Sequence, residues 1–146
     1  MTSNADAVVR DWFDSVWNKG REEAIDRLMA PGAKVHGLSG PKGDPIIGPE
    51  AFKPFFRMFK LAMSDLRVDV VRTVVQGEMA VAHCRVHGRH AGDSLGAPAT
   101  QNVVEFGGMA MLRIGNGQIV EGWNCFDFLS MYQQLGWVKN PPIPGA

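Results

Sequence analysis

The chain has 146 residues, 45% of them hydrophobic, and its 15 Lys and Arg balance its 15 Asp and Glu. This length suits one compact domain with one core, so we expect a single domain over residues 1–146. A balanced charge without a basic run, and apolar stretches too short to span a bilayer, argue against nucleic acid and membranes as partners.

Three helices are predicted in the first half of the chain. The first has apolar residues at intervals of three and four behind a cap at Ser3 or Asn4, and it ends near Gly20. A second, short helix stops at Pro31, and a short strand follows at 33–38. The third helix has its apolar residues at helical spacing: Phe52, Phe55, Phe56, Phe59 and Met63.

From Leu66 onward the chain becomes strand-like, with β-branched or alternating residues between turn residues. The four long strand segments are 67–75, 79–90, 100–114 and 118–128. Helices followed by antiparallel strands predict an α+β fold, a cone-shaped barrel in which three N-terminal helices pack on a strongly curved antiparallel sheet. The second face of the sheet is also apolar, and we expect another copy of the chain to cover it in a homodimer.

The last two strands can be registered, because Asn116 and Gly117 suit a two-residue hairpin turn. Opposed residues share a face of the sheet, and the expected pairs are Ile114 with Ile119, Leu112 with Glu121, Ala110 with Trp123, Gly108 with Cys125, and Phe106 with Asp127. This register places Asp127 on an apolar face. A bulge in either strand would shift the pairs by one residue and exchange the faces.

The two cysteines, Cys84 and Cys125, fall in predicted strands and lack the Cys or Cys/His spacing of a metal site. We therefore expect reduced, buried thiols. The amino terminus has acidic residues where a secretory signal has a basic start and an apolar run, which predicts a cytoplasmic protein. The last residues, 137–146, form a proline-rich tail.

A linked set of motifs occupies the carboxy-terminal half. The set consists of Gly88, His90 and Gly92 as G-x-H-x-G, the small-Pro-x-Thr segment 97–100, the hairpin residue Gly117, then Glu121, Trp123 and Asp127, and finally Gln134, Leu135 and Gly136. With this set the chain resembles the SnoaL-like polyketide cyclases, in the cone-shaped superfamily that includes ketosteroid isomerase. Residues 48–70 are similar to the third helix of that family and the Asp-containing turn after it.

The resemblance implies that Asp127 acts as general acid and base in an intramolecular aldol ring closure that requires no metal or cofactor. An apolar pocket disfavours the ionised carboxylate, so its pKa moves toward the range where one group can take and return a proton. The expected cavity walls, which would hold a flat, hydrophobic, polyketide-like substrate, are Trp12, Phe13, Trp17, Phe55, Phe59, Phe106 and Trp123.

Three of the candidate residues have a second interpretation. Asp127, at the end of a strand and before a helix, also suits a helix N-cap. His90 shares the strand parity of inward residues and is a second catalytic candidate, which would orient a carbonyl or hold a proton; alternatively it bonds to the backbone at a strand end. His36 is a candidate substrate contact, but its position in the short strand leaves its face undecided.

Two departures from the family pattern restrict what the resemblance implies. Gly122 stands where many relatives have a histidine. The strand before the hairpin has apolar side chains at 109–112, where the cyclases use polar ones to polarise the substrate carbonyl.

Other activities of the same cone remain alternatives. An epoxide hydrolase needs two acids around an arginine, which the stretch 85–87 lacks, and an isomerase needs a pocket tyrosine, whereas Tyr132 lies in the last predicted helix. A dehydratase cannot be separated from a cyclase by these residues. A non-catalytic module that binds a hydrophobic molecule is a different class, and its ligand binding would survive Asp127→Asn.

Overall fold

The computed structural model describes residues 4–40 and 42–139. Its helices are Ala5–Asp11 (α1), a π-helix at Trp12–Asn18, Glu23–Leu28 (α2), Gly48–Ala62 (α3) and Phe128–Gln134 (α4). Its strands are Met29–His36 (β1), Ile46–Ile47 (β2), Met63–Gln76 (β3), Met79–His90 (β4), Val103–Gly115 (β5) and Gln118–Phe126 (β6). Ser3, one of the expected caps, and most of the proline-rich tail, 140–146, lie outside the described residues.

The predicted α+β class is confirmed, with helices on one face of a curved six-stranded sheet. The strand order is β2-β1-β6-β5-β4-β3. The sheet is strongly curved but not closed, and it is mixed rather than purely antiparallel, because β1 runs parallel to β6. Sequence patterns did not indicate this pairing, since β1 joins a strand more than eighty residues away.

The second helix ends earlier than predicted, at Leu28, and β1 begins at Met29. Pro31 therefore lies inside a strand. It is tolerated there because the β1–β6 pairing is irregular between Met29 and Lys34, and a residue without an N–H group suits such a break.

The core lies between the helices and the inner face of the sheet. The even-numbered residues Ala80, Ala82, Cys84, Val86 and His90 of β4 are all buried, as their alternation predicted. Burial raises the pKa of the Cys84 thiol to about 12, so that thiol stays protonated. The expectation that Cys125 is also buried is wrong, because its side chain is exposed.

The first predicted helix forms, but its second half is a π-helix whose last residue, Asn18, is bonded to β3. Asn18 Nδ2 donates to Val68 O at 2.9 Å, and Val68 N donates to Asn18 Oδ1 at 2.7 Å. The i→i+5 repeat of a π-helix aligns Trp12 with Trp17. Both indoles contact the Phe52 ring of α3, with centroid distances of 5.2 and 6.2 Å.

The predicted pair Ile114–Ile119 next to the hairpin turn is confirmed, but the pairs beyond it are wrong. Arg113 pairs with Glu121, so Val120 is an extra residue on β6 and a bulge separates the two parts of the hairpin. The observed pairs are Leu112 with Gly122, Ala110 with Asn124, and Gly108 with Phe126. The shift by one residue exchanges the two faces of β6.

None of the helices within 4–40 and 42–139 has the length and apolar character needed to cross a membrane.

Candidate ligand cavity

An apolar cavity opens between the helices and the inner face of the sheet. Its volume is about 80 Å³, and the empty space between the lining residues, mouth included, is about 700 Å³. The lining residues are Trp12, Phe13, Trp17, Met29, Val35, Leu38, Phe52, Phe55, Phe59, Leu66, Val68, Val86, Phe106, Leu112, Ile119, Gly122, Asn124, Phe126 and Phe128. The inner part has room for small groups only, so a ligand with several rings would also occupy the mouth.

Most of the expected wall residues line this cavity. They are Trp12, Phe13, Trp17, Phe55, Phe59 and Phe106. The helical periodicity located these side chains because the apolar side of each helix must face the sheet. Their contact with a substrate stays a prediction.

A cluster of aromatic rings lines the cavity where α3 approaches the start of α4. The Phe59 and Phe128 centroids are 5.9 Å apart, as are those of Phe106 and Phe128, and Phe126 lies 6.3 Å from Phe128. Sequence reasoning missed Phe126 and Phe128. The missing signal was the bulge, since the correct register turns Phe126 inward.

Apart from the indole N–H groups of Trp12 and Trp17, Asn124 has the one polar side chain among the described lining residues. Its Nδ2 donates to the backbone oxygen of His36 at 3.0 Å. A hairpin register without the bulge places Asn124 on the opposite face, so sequence reasoning also missed this residue. Among the described residues, the cavity lining therefore contains no Asp, Glu, His, Lys or Arg.

Asp127 lies outside the cavity lining and is exposed to solvent. It is the N-cap of α4, where its Oδ1 accepts a hydrogen bond from Ser130 N at 3.0 Å. Its own N–H donates to Gly107 O at 3.0 Å. The register that placed Asp127 opposite Phe106 on an apolar face is corrected, and the geometry is that of the helix cap, the second interpretation of this residue.

His90 points inward and is fully buried, but it does not line the cavity. Its Nδ1 accepts a hydrogen bond from Thr100 N at 3.0 Å, so the proton of the neutral ring belongs on Nε2. Nε2 has no hydrogen-bond partner among the described residues, and the ring meets the Trp137 indole edge-on with a centroid distance of 5.4 Å. This geometry is that of a histidine bonded to backbone, and a catalytic role stays a prediction.

His36 and Trp123, two expected substrate contacts, lie on the outer face of the sheet and do not line the cavity. Their rings stack with a centroid distance of 5.6 Å. His36 Nε2 lies 2.8 Å from Glu121 Oε2, and Arg113 lies 3.4 Å from the other oxygen of that carboxylate. The pKa of the Glu121 carboxyl is lowered mainly by its hydrogen bond with His36 and, to a smaller extent, by the nearby Arg113 guanidinium. The bulge at Val120 explains the outer position of Trp123, and the parallel pairing of β1 with β6 places His36 beside it.

Within the described part of the chain, no group of three or more His, Cys, Asp or Glu side chains is placed to hold a metal ion.

Comparison with known proteins shows which family this chain resembles. The family described as SnoaL-like polyketide cyclase matches residues 7–135, which is most of the chain. The chain belongs to the SnoaL-like polyketide cyclase family. The matched segment contains every residue of the cavity lining.

Named relatives of this SnoaL-like chain are cyclases from Streptomyces. Aklanonic acid methyl ester cyclase DnrD of Streptomyces peucetius is 30% identical over 142 residues, which cover 93% of this chain and 92% of the relative. Nogalonic acid methyl ester cyclase of Streptomyces nogalater is 27% identical over 128 residues, covering 84% of this chain and 90% of the relative.

Solved structures share the fold of this SnoaL-like chain. TsrD from Streptomyces laurentii superposes with a TM-score of 0.80 at 22% identity, covering 94% of this chain and 99% of TsrD. A protein of Catenulispora acidiphila with a ketosteroid isomerase-like fold gives a TM-score of 0.73 at 16% identity, covering 92% of this chain and 97% of that protein.

Proposed function

We propose that this protein binds a flat, hydrophobic, polyketide-like molecule in its apolar cavity and promotes intramolecular aldol ring closure of that molecule. The observation that supports the binding step is the lining, which is aromatic and aliphatic apart from Asn124. The cyclase activity named for its relatives supports the reaction. No cofactor is part of the proposal.

In this reaction a proton leaves a carbon flanked by carbonyls, the resulting enolate forms a carbon–carbon bond to a second carbonyl, and the new alkoxide takes up a proton. Holding the two reacting carbons in contact restricts the substrate to conformations in which the new bond can form, and this positioning lowers the barrier to ring closure. The aromatic rings around Phe128 would supply that positioning.

Two forms of this proposal differ in which group takes the proton from the substrate carbon. In the form implied by the family resemblance, Asp127 takes and returns the proton. In the form that we favour, Asp127 is a cap, and the cavity acts by positioning a substrate whose acidic carbon loses its proton to solvent. The exposed position of Asp127, away from the cavity lining, supports the second form.

A non-catalytic binding module is the second candidate function, and the same lack of ionisable residues in the described lining favours it. Incubation with aklanonic acid methyl ester tests both candidates. Binding with faster formation of the ring-closed product, followed by chromatography, supports the enzyme. Binding without ring closure supports the module, and the absence of binding contradicts both.

The two substitutions Asp127→Asn and Asp127→Ala separate capping from acid/base catalysis. Asparagine caps a helix about as well as aspartate, whereas alanine costs about 1 kcal/mol. We therefore expect Asp127→Asn to retain both stability and ring closure, and Asp127→Ala to lower the free energy of unfolding by about that amount, measured by urea denaturation. Loss of ring closure in a fully stable Asp127→Asn variant would instead assign the acid/base role to this carboxylate.

We also propose that the outer face of the sheet is the interface of a homodimer. Met109 and Met111 of β5 are 52% and 38% exposed there, beside the half-buried ring of Trp123. Flexible methionine side chains suit such contacts, and the ion pairs Arg85–Glu105 and Arg113–Glu121 lie on the same face. A cytoplasmic location stays a prediction.

Met111→Asp is expected to convert the dimer to a monomer, because two unpaired carboxylates would be buried at the interface. The mass of the particle in solution, from light scattering or sedimentation, measures this change. Leu61→Asp is the matched control, since Leu61 is 71% exposed on α3, which packs on the opposite side of the sheet. A wild-type protein of monomer mass would contradict the dimer.

A further inference from the structure

The polar side chain in the cavity, Asn124, is held in one orientation by the neighbouring strand. Its Nδ2 donates to His36 O at the end of β1. If the amide were reversed, Oδ1 would face His36 O, and two acceptors would meet without a proton between them. The amide oxygen therefore lies on the side away from His36.

The backbone around this bond leaves little freedom to rearrange. Gly37 has a φ of 90°, in the left-handed region, and a Cβ atom there would lie 2.0 Å from the backbone oxygen of Asn124. The two strands thus approach so closely that only glycine fits. This contact keeps the carbonyl of His36 beside the Asn124 side chain.

Asn124 Oδ1 has no hydrogen-bond partner among the described residues, and no other described side chain of the cavity lining carries an oxygen atom. An amide oxygen accepts hydrogen bonds and cannot donate them. A ligand group placed against it gains a bond only if it carries an N–H or O–H. An ether oxygen in the same place would meet another acceptor.

We propose that Asn124 is a specificity-determining residue that selects ligands with a hydroxyl donor, a phenol or an enol, over the corresponding ethers. The inference rests on the proposed binding function and deepens it by naming the substrate class. A 1,3-dicarbonyl compound presents such a donor only as its enol. Asn124 would therefore favour the enol form of a polyketide-like substrate.

The test compares three probes of similar shape: 1-naphthol, 1-methoxynaphthalene and naphthalene. Calorimetric titration of the full chain is expected to show that 1-naphthol binds at least about tenfold more tightly than its methyl ether. In Asn124→Leu the two affinities are expected to lie within about twofold of each other. Naphthalene, which has no polar group, reports in each variant whether the cavity is intact.

Several outcomes would overturn the inference. If the wild type binds 1-naphthol and its methyl ether with equal affinity, the inference about Asn124 is wrong, while the proposed binding function still holds. This comparison uses the wild type alone, so it does not depend on the folding of a variant. A preference that persists in Asn124→Leu assigns the selection to another residue. If none of the probes binds, the proposed binding function fails together with the inference.

A second variant covers the case in which Asn124→Leu does not fold. In Asn124→Ser the hydroxyl can donate as well as accept, so the site stays polar but no longer distinguishes a donor from an acceptor. We expect the preference for 1-naphthol to fall toward that of the leucine variant. A preference equal to that of the wild type would contradict the proposal.

Discussion

Replacing Gly122 by leucine is expected to weaken ligand binding by more than about tenfold while the protein stays folded. Gly122 lines the cavity between its strand partners Val35 and Leu112. A Cβ atom there would lie 2.7 Å from Leu112 Cδ2, the far end of a flexible side chain, so the added leucine would displace that side chain and fill the space. Overpacking of this kind costs about 1–3 kcal/mol of stability, which a folded domain of this size can lose.

The measurement is the Kd of 1-naphthol for the wild type and for Gly122→Leu, with circular dichroism to verify folding. We expect the Kd to rise by more than about tenfold, which corresponds to about 1.4 kcal/mol. Gly32→Leu is the matched control, because Gly32 is exposed and a Cβ atom there would meet nothing within 4 Å. An unchanged Kd in Gly122→Leu would mean that the ligand binds outside this cavity.

Phe52→Ala is expected to cause the largest loss of stability among the substitutions considered. Phe52 is 2% exposed and contacts the rings of Trp12, Trp17 and Phe55. Truncation of a buried phenylalanine removes its transfer free energy and leaves a cavity, at a cost of about 3–5 kcal/mol. That loss is a large part of the roughly 5–15 kcal/mol that stabilises a typical domain.

Urea denaturation of Phe52→Ala beside Leu61→Ala tests this expectation. Leu61 lies on the same helix, α3, but is 71% exposed, and its truncation should change the free energy of unfolding by less than about 0.5 kcal/mol. The expected result is a clear separation of the two unfolding midpoints. Similar midpoints would mean that the burial of Phe52 contributes little to stability.

The cavity walls contributed by helices were predictable because helical periodicity is a local property. Trp12, Trp17 and Phe55 recur on one side of their helices, and that side must be buried whatever it packs against. The alternation along β4 was equally informative, since a strand with one buried face places every second residue inside. The even-numbered residues from Ala80 to His90 are buried accordingly.

The residues of β6 were assigned to the wrong faces for a reason that local patterns do not contain. Both faces of this strand are partly apolar, so the hydrophobic pattern cannot distinguish one register from the register shifted by one. The extra residue, Val120, sets which register the strand adopts. It turns Asn124 and Phe126 toward the cavity, and it turns Trp123 toward the outer face.

The sequence by itself determined the α+β class, the order of the long helices and strands, the family and most of the aromatic cavity wall, because these follow from periodicity, turn residues and linked motifs. Only the tertiary structure decided the parallel pairing of β1 with β6, the bulge and hence the polar group in the cavity. It also placed Asp127 at a helix cap. The physical reason is that strand pairing and register depend on contacts between residues far apart in the chain, whereas propensity and periodicity are properties of neighbours.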